Sequence, residues 1–222
     1  VSGNVIENCA ADGIQVSTHT GKSGCVNISI DSNTVRNCES GVFVKGISGT
    51  PQIAVTVSNN QIIGTLDTAL YGLQASYTED VVFVGNTVNN RINAGRLAYS
   101  NLRTIISNNN FHCTLSAGND KKGFLFSDTL TGIRFDGNIL SNYGWKGLEI
   151  SGTVGNMHVV NNHITGCTNS SGACVRWDSP TSSLCVLNGN HLQGTHWSYD
   201  GATSTYDVLA ANWTETWNTK DI

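Results

Sequence analysis

One short phrase recurs along the whole chain: an apolar residue, two small or polar residues, Asn, any residue, then another apolar residue. Its eight copies centre on Asn4, Asn33, Asn60, Asn86, Asn109, Asn138, Asn162 and Asn190, with flanking pairs such as Ile30 and Val35, Val57 and Ile62, or Phe135 and Leu140. Successive Asn residues lie 23 to 29 positions apart, about 27 on average. A unit this short cannot bury an apolar face alone, so each must stack on its neighbours into an elongated array.

The residues before each Asn alternate apolar and polar, as at Ile28 and Ile30, Val55 and Val57, Val81 and Phe83, and Met157 and Val159. That period of two marks a strand with one buried face. A second short apolar stretch follows in most units, opening on Gly: Gly13 to Val16, Gly41 to Val44, Gly123 to Phe126 and Gly147 to Ile150. No amphipathic helical period of ten or more residues occurs, so the units are strand and turn throughout.

This pattern resembles the right-handed parallel β-helix shared by pectate lyases, rhamnogalacturonases and bacteriophage tailspikes. The resemblance implies an all-β, single-stranded solenoid of about eight coils over residues 1–192, closed by an aromatic-rich segment over 193–222. Asn suits such corners, because it tolerates left-handed backbone and its amide can bond the equivalent Asn one coil away. Eight coils about 4.8 Å apart make a rod roughly 40 Å long. The final segment carries Trp197, Tyr199, Tyr206, Trp213 and Trp217. It is expected to cap the last coil or pack between subunits, with stacking on carbohydrate as the sharper alternative.

Composition narrows the partners. Charged residues make up 13% of the 222, against 24 Gly and 26 Asn, and the net charge is −4. No basic stripe is available to follow phosphates, which argues against nucleic acid, and no apolar run approaches the ~18 residues of a membrane span. Seven cysteines (Cys9, Cys25, Cys38, Cys113, Cys167, Cys174, Cys185) form an odd set without a CxxC pair. They are expected to be buried free thiols from a reducing compartment, with a Cys9–Cys38 disulfide as the alternative. Val1 is neither an initiator Met nor the start of a leader peptide. The expectation is a fragment with further coils upstream.

No nucleophile elbow, P-loop, HExxH or calcium loop is present, so no cofactor or metal is expected. Chemistry must come from outward side chains. Glu149 and Arg176 are expected to share a face on neighbouring coils, with Asp128 and Asp178 closing the flanking strands and Trp145 and Trp177 beside them. Glycoside cleavage needs two carboxyl groups near aromatic platforms, which makes Asp128, Glu149 and Asp178 the candidate catalytic residues. Trp145, Arg176 and Trp177 are the candidate substrate contacts. The plainer alternative is a solvated Glu149–Arg176 cross-strand pair. His163 and His191 should stack, too few for a metal site. Insertions at Thr65–Tyr71 and His112–Lys122 are loops able to wall a groove.

Among β-helix families the low charge, free thiols, Asn- and Gly-rich coils and aromatic tail look most like a bacteriophage tailspike or capsular-polysaccharide depolymerase. The resemblance implies a homotrimer in the virion tail, assembled in the host cytoplasm. Its partner would be capsular or O-antigen polysaccharide, cut by hydrolysis or elimination. The alternative is a secreted, cell-surface or fibre-shaft β-helix that adheres to glycan without cutting it.

Overall fold

The computed structural model describes residues 1–64, 71–113, 121–178, 181–201, 205–206, 213–216 and 218–221. None of these is helical. The strands form a parallel β-solenoid, each pairing in parallel with its counterparts one coil before and after; Ser198–Asp200 departs from this by also pairing antiparallel with Thr205–Tyr206. The interiors of the two insertions fall outside the described residues, as do the side chains of Tyr206, Trp213 and Trp217.

Each coil has three faces. The first is built from the Gly-led strands, including Asp12–Ser17, Ser40–Lys45 and Tyr71–Glu79, and from their register partners Asn93–Leu102 and Ala173–Trp177. The second holds the alternating strands before the Asn, among them Val26–Asp31, Gln52–Ser58, Val82–Val84 and Ile105–Ser107. Mid-rod, two 15-residue strands, Lys122–Asp136 and Lys146–Val160, run through both faces without a break. The third face follows the Asn, and one apolar residue per coil points inward from it: Val35, Ile62, Val88, Phe111, Leu140, Ile164 and Leu192, paired in that order and fully buried. The rod is widest in aromatic mass at its centre, where Phe111, Phe124, Phe126 and Phe135 meet with ring centroids 4.9 to 6.5 Å apart.

The Asn column runs as the repeat predicts. Asn60 illustrates one rung: its backbone N–H and its side-chain amide both donate to Asn86 Oδ1, each at 3.0 Å, and the same amide reaches Ile30 O one coil back. Asn33, Asn60, Asn86, Asn109, Asn138, Asn162 and Asn190 are at most 2% exposed. The ladder extends one rung past the last copy of the phrase, because Asn190 donates to Asn218 Oδ1 at 2.8 Å. That rung is hidden in the sequence: Glu215 and Lys220 occupy the register of Leu187 and Leu192.

One expectation about the corner is corrected. The left-handed residue is not the ladder Asn but its predecessor: Ser32, Asn59, Gly85, Asn108, Gly137, Asn161 and Gly189 have φ between 53° and 66°. The ladder Asn must keep its amide aimed along the rod, so the turn is made one residue earlier. At Gly85 a Cβ would lie 2.7 Å from Asn59 Oδ1, which is why glycine alternates with Asn there.

All seven cysteines are free, but Cys25 is exposed and Cys9 only half-buried, so burial holds for Cys38, Cys113, Cys167, Cys174 and Cys185. His163 and His191 stack as expected, with centroids 4.5 Å apart and planes 10° from parallel.

Asn109→Ala removes the acceptor for Asn86 and the donor to Phe83 O, Ser107 O and Asn138 Oδ1. Several buried backbone groups then lack partners, so the expected cost is about 2–4 kcal/mol in urea unfolding. Exposed Asn110→Ala should stay within about 0.5 kcal/mol of wild type. Equal losses in the two variants would contradict the ladder's role.

Candidate functional site

Alternation along the first face decides which side chains reach its outer surface. Leu148 and Ile150 point into the core at 0% exposure, so Glu149 between them points out. Parallel register then aligns Gln74, Arg96, Leu125, Glu149, Arg176 and Tyr199 in one row across six coils. A second row, three residues earlier, runs through Tyr71, Asn93, Lys122, Lys146 and Ala173. The two rows place cations on either side of one carboxylate.

Glu149 is 7% exposed and carries two ammonium contacts, Lys146 Nζ at 2.6 Å on Oε1 and Lys122 Nζ at 2.6 Å on Oε2. Burial works to raise its pKa, but the two lysines outweigh burial and hold it below the ordinary carboxylate range. Lys146 moves the opposite way from a surface lysine. Its burial pulls the pKa down against the hydrogen bond it donates to Glu149, with Arg176 and Lys122 adding to the fall. Both ammonium groups also approach the Trp145 ring, Lys146 at 3.8 Å from the centroid and Lys122 at 5.0 Å.

One coil further, Arg176 Nε contacts both carboxylate oxygens of Asp178 at 2.8 and 3.0 Å, and its guanidinium lies 4.5 Å from the centre of the Tyr199 ring. On the other side, Arg96 reaches Tyr71 Oη at 3.3 Å. Around these two rows Arg96, Lys122, Lys146 and Arg176 thus meet Glu149 and Asp178, flanked by Tyr71, Trp145 and Tyr199.

The expected residues are therefore only partly brought together. Glu149 and Arg176 are register partners, yet each is paired elsewhere, so the plain cross-strand ion pair does not form. Asp178 lies one strand and two residues from Glu149, which strand spacing converts to about 8 Å between Cα atoms. Asp128 sits in the register of Gly152, three residues beyond Glu149, and its Oδ2 accepts the Tyr99 backbone N–H at 2.9 Å. It supports a turn. Trp177 is fully buried, because alternation that turns Arg176 outward turns its neighbour inward; it is corrected from a substrate contact to a core residue. Trp145 is half-buried, with its ring already facing two ammonium groups rather than open to a sugar.

Sequence reasoning missed Lys122 and Lys146, although both directly precede the Gly of their strands, as Tyr71 does in its own, so that alignment was available. It also missed Tyr199, which was assigned to the tail without a register.

No family model and no curated protein matches the chain. Solved structures do. DFA-IIIase from Arthrobacter chlorophenolicus A6 superposes with a TM-score of 0.58 at 15% identity over 95% of this chain. Its C387A mutant in complex with DFA-III superposes at 0.60 and 13% over 99%. The same enzyme in complex with GF2 gives 0.51 and 12% over 84%. This chain spans 50 to 54% of those chains, and likeness at such identity establishes the fold alone.

Because the Glu149 pKa is lowered on folding, its stabilising contribution is present above the unfolded carboxylate pKa, about 4.3, and fades as pH falls through the folded value. Glu149→Gln leaves Lys146 buried without its counter-charge. At pH 7 it should cost about 3 kcal/mol, the low end for a broken buried pair because Lys122 can turn to water. Urea midpoints of wild type and variant should converge as pH drops from 6 to 3; parallel curves would contradict the ion-pair assignment.

Proposed function

We propose that the chain binds and cleaves a bacterial surface polysaccharide laid across the first face between Trp145 and Tyr199. The observation that carries this reading is the Lys122–Glu149–Lys146 cluster. Glu149 and Lys146 have been taken out of water on a rigid sheet, with half-buried Lys122 beside them, an arrangement that core packing does not require and that functional sites commonly hold. The solenoid fold is also that of DFA-IIIase, a carbohydrate-active enzyme solved with DFA-III and with GF2, which supports a saccharide substrate.

The electrostatics favour elimination over hydrolysis. An inverting hydrolase needs one carboxylic acid that keeps its proton near neutral pH. Glu149 is held ionised instead. Lys146, its pKa lowered by burial, is the better proton acceptor: its amine takes the proton beside a uronate carboxylate, the C–H electrons form the new double bond, and the glycosidic oxygen leaves with its electrons and is protonated by water. Lys122 and Arg176 offset the charge on the uronate. Asp178 orients Arg176, and Glu149 positions both lysines.

The finer reading is a tailspike-type capsular or O-antigen depolymerase, a homotrimer in the virion tail. Free thiols and a low-charge Asn-rich solenoid support it. A glycan-binding adhesin is the competing outcome, separated by product.

Purified protein incubated with uronate-containing capsule should release unsaturated uronate, read by its ultraviolet absorbance, with turnover rising on the alkaline side as Lys146 loses its proton. Lys146→Met and Asp178→Asn should each lower turnover about 100-fold. Reducing ends without unsaturated product would replace elimination by hydrolysis, and binding without release would favour adhesion. Sedimentation should give three times the 23.6 kDa chain mass; a monomer would remove the trimer.

A further inference from the structure

Two tyrosines take left-handed backbone that this chain gives mostly to Asn and Gly, with Ser32, Ala54, Asp80, Arg103, Asp128 and Leu184 as the other non-Asn cases. Among the described residues seventeen non-glycine positions have left-handed backbone, and nine of them are Asn, the residue that tolerates this best. Tyr77 at φ 51° and Tyr99 at φ 63° are the aromatic exceptions. A bulky side chain in that region is strained, and such strain concentrates where a site needs a particular side chain.

The two occupy equivalent turns on neighbouring coils, where the register shifts between Ala98 and Asn101. Their rings stack 5.0 Å apart and 7° from parallel, and Tyr99 remains 50% exposed. Asp128, itself at φ 70°, holds the second turn by accepting the Tyr99 N–H. Tyr77 lines one side of a groove of about 320 Å³, completed by Ile47, Pro51, Glu79, Ser100 and Leu102. Glu79 is the charged residue of that lining, and its carboxylate is met at 3.2 Å by Arg103 from outside it. Core packing does not explain the tyrosines, since they rest on each other at the surface.

We infer that this groove is a saccharide subsite for an uncharged pyranose, with one ring lying on Tyr77, which Tyr99 backs by stacking, and its hydroxyls bonded to Glu79 and Ser100. The lining's single charge is the Glu79 carboxylate, already met by Arg103, so it holds no cation for a uronate or sulfated sugar, in contrast to the Lys122–Glu149–Lys146 cluster. By strand spacing Tyr99 is about 14 Å from Glu149, three residues along and two strands across, so the groove is a separate site. It rests on the proposed function only for the class of ligand.

The test titrates the whole chain with cellohexaose, maltohexaose and a hyaluronan hexasaccharide, followed by calorimetry and by NMR of tyrosine resonances. A neutral oligosaccharide should bind at millimolar concentration and more tightly than hyaluronan. Tyr77→Asn with Tyr99→Asn should weaken it roughly tenfold. The same double variant should melt no lower than wild type, because Asn relieves both strained turns. Absence of neutral binding, equal affinity for hyaluronan, or binding indifferent to the two tyrosines overturns the inference. So does a lower melting temperature with affinity unchanged, which would make the stack structural. Loss of turnover in Lys146→Met alongside tyrosine-independent binding removes this groove and leaves the lateral site standing; tyrosine-dependent binding with turnover intact in Lys146→Met does the reverse.

Discussion

The hydrogen bond that an Asn side chain makes along the rod axis governs everything else in this molecule. In a parallel solenoid the sheets hold neighbouring coils together at each face, but the corners leave backbone donors and acceptors with no strand to meet. A primary amide carries both a donor and an acceptor. Stacked one per coil, these amides satisfy the corner above and the corner below at once, as Asn86 does between Val57 O and Asn109 Oδ1. The buried column fixes coil spacing, and with it the register of every outward row. The alignment of Lys146 with Lys122, or of Arg176 with Glu149, is inherited from it.

That dependence explains what could be read from sequence. Strand faces, the stacked Asn column and the stacked His163 and His191 all follow from period-two alternation and one repeated phrase, because a solenoid makes local position and spatial position nearly the same thing. The final rung escaped because Glu215 and Lys220 replace its apolar flanks. Inward and outward assignments were as readable as the strands themselves: applied strictly, alternation removes Trp177 from the surface. The partnerships of Glu149 were not readable. Register brings it beside Arg176, but which of four nearby cations it takes depends on side-chain reach and burial, and the lysines three residues away win.

The left-handed turns show the same division between rule and exception. Where only geometry is at stake the chain mostly uses Asn or Gly, as at Asn59, Gly85, Asn108 and Gly137. Where Tyr77, Tyr99 and Asp128 take such positions, a conformational cost of about 1–2 kcal/mol each is accepted for the side chain they bring. Ala54, Arg103 and Leu184 take such backbone too, so a strained turn points to a site only where a ring stack and a groove accompany it, as at Tyr77.

The placement of the charged cluster has a mechanical reason as well. Lys122–Asp136 and Lys146–Val160 pass from the first face to the second without a loop, with positive φ at Asp128 and Gly132 in the one and at Gly152 and Asn156 in the other. A Cβ at Gly152 would stand 2.2 Å from Asp128 O, so the close approach that lets these strands turn together requires glycine there. They share thirteen register pairs. Side chains rooted in such a segment have little freedom to drift apart, and charges removed from water can be kept at fixed separation only on a support of that stiffness. Lys122, Lys146 and Glu149 sit on these two strands, and Arg176 on the next.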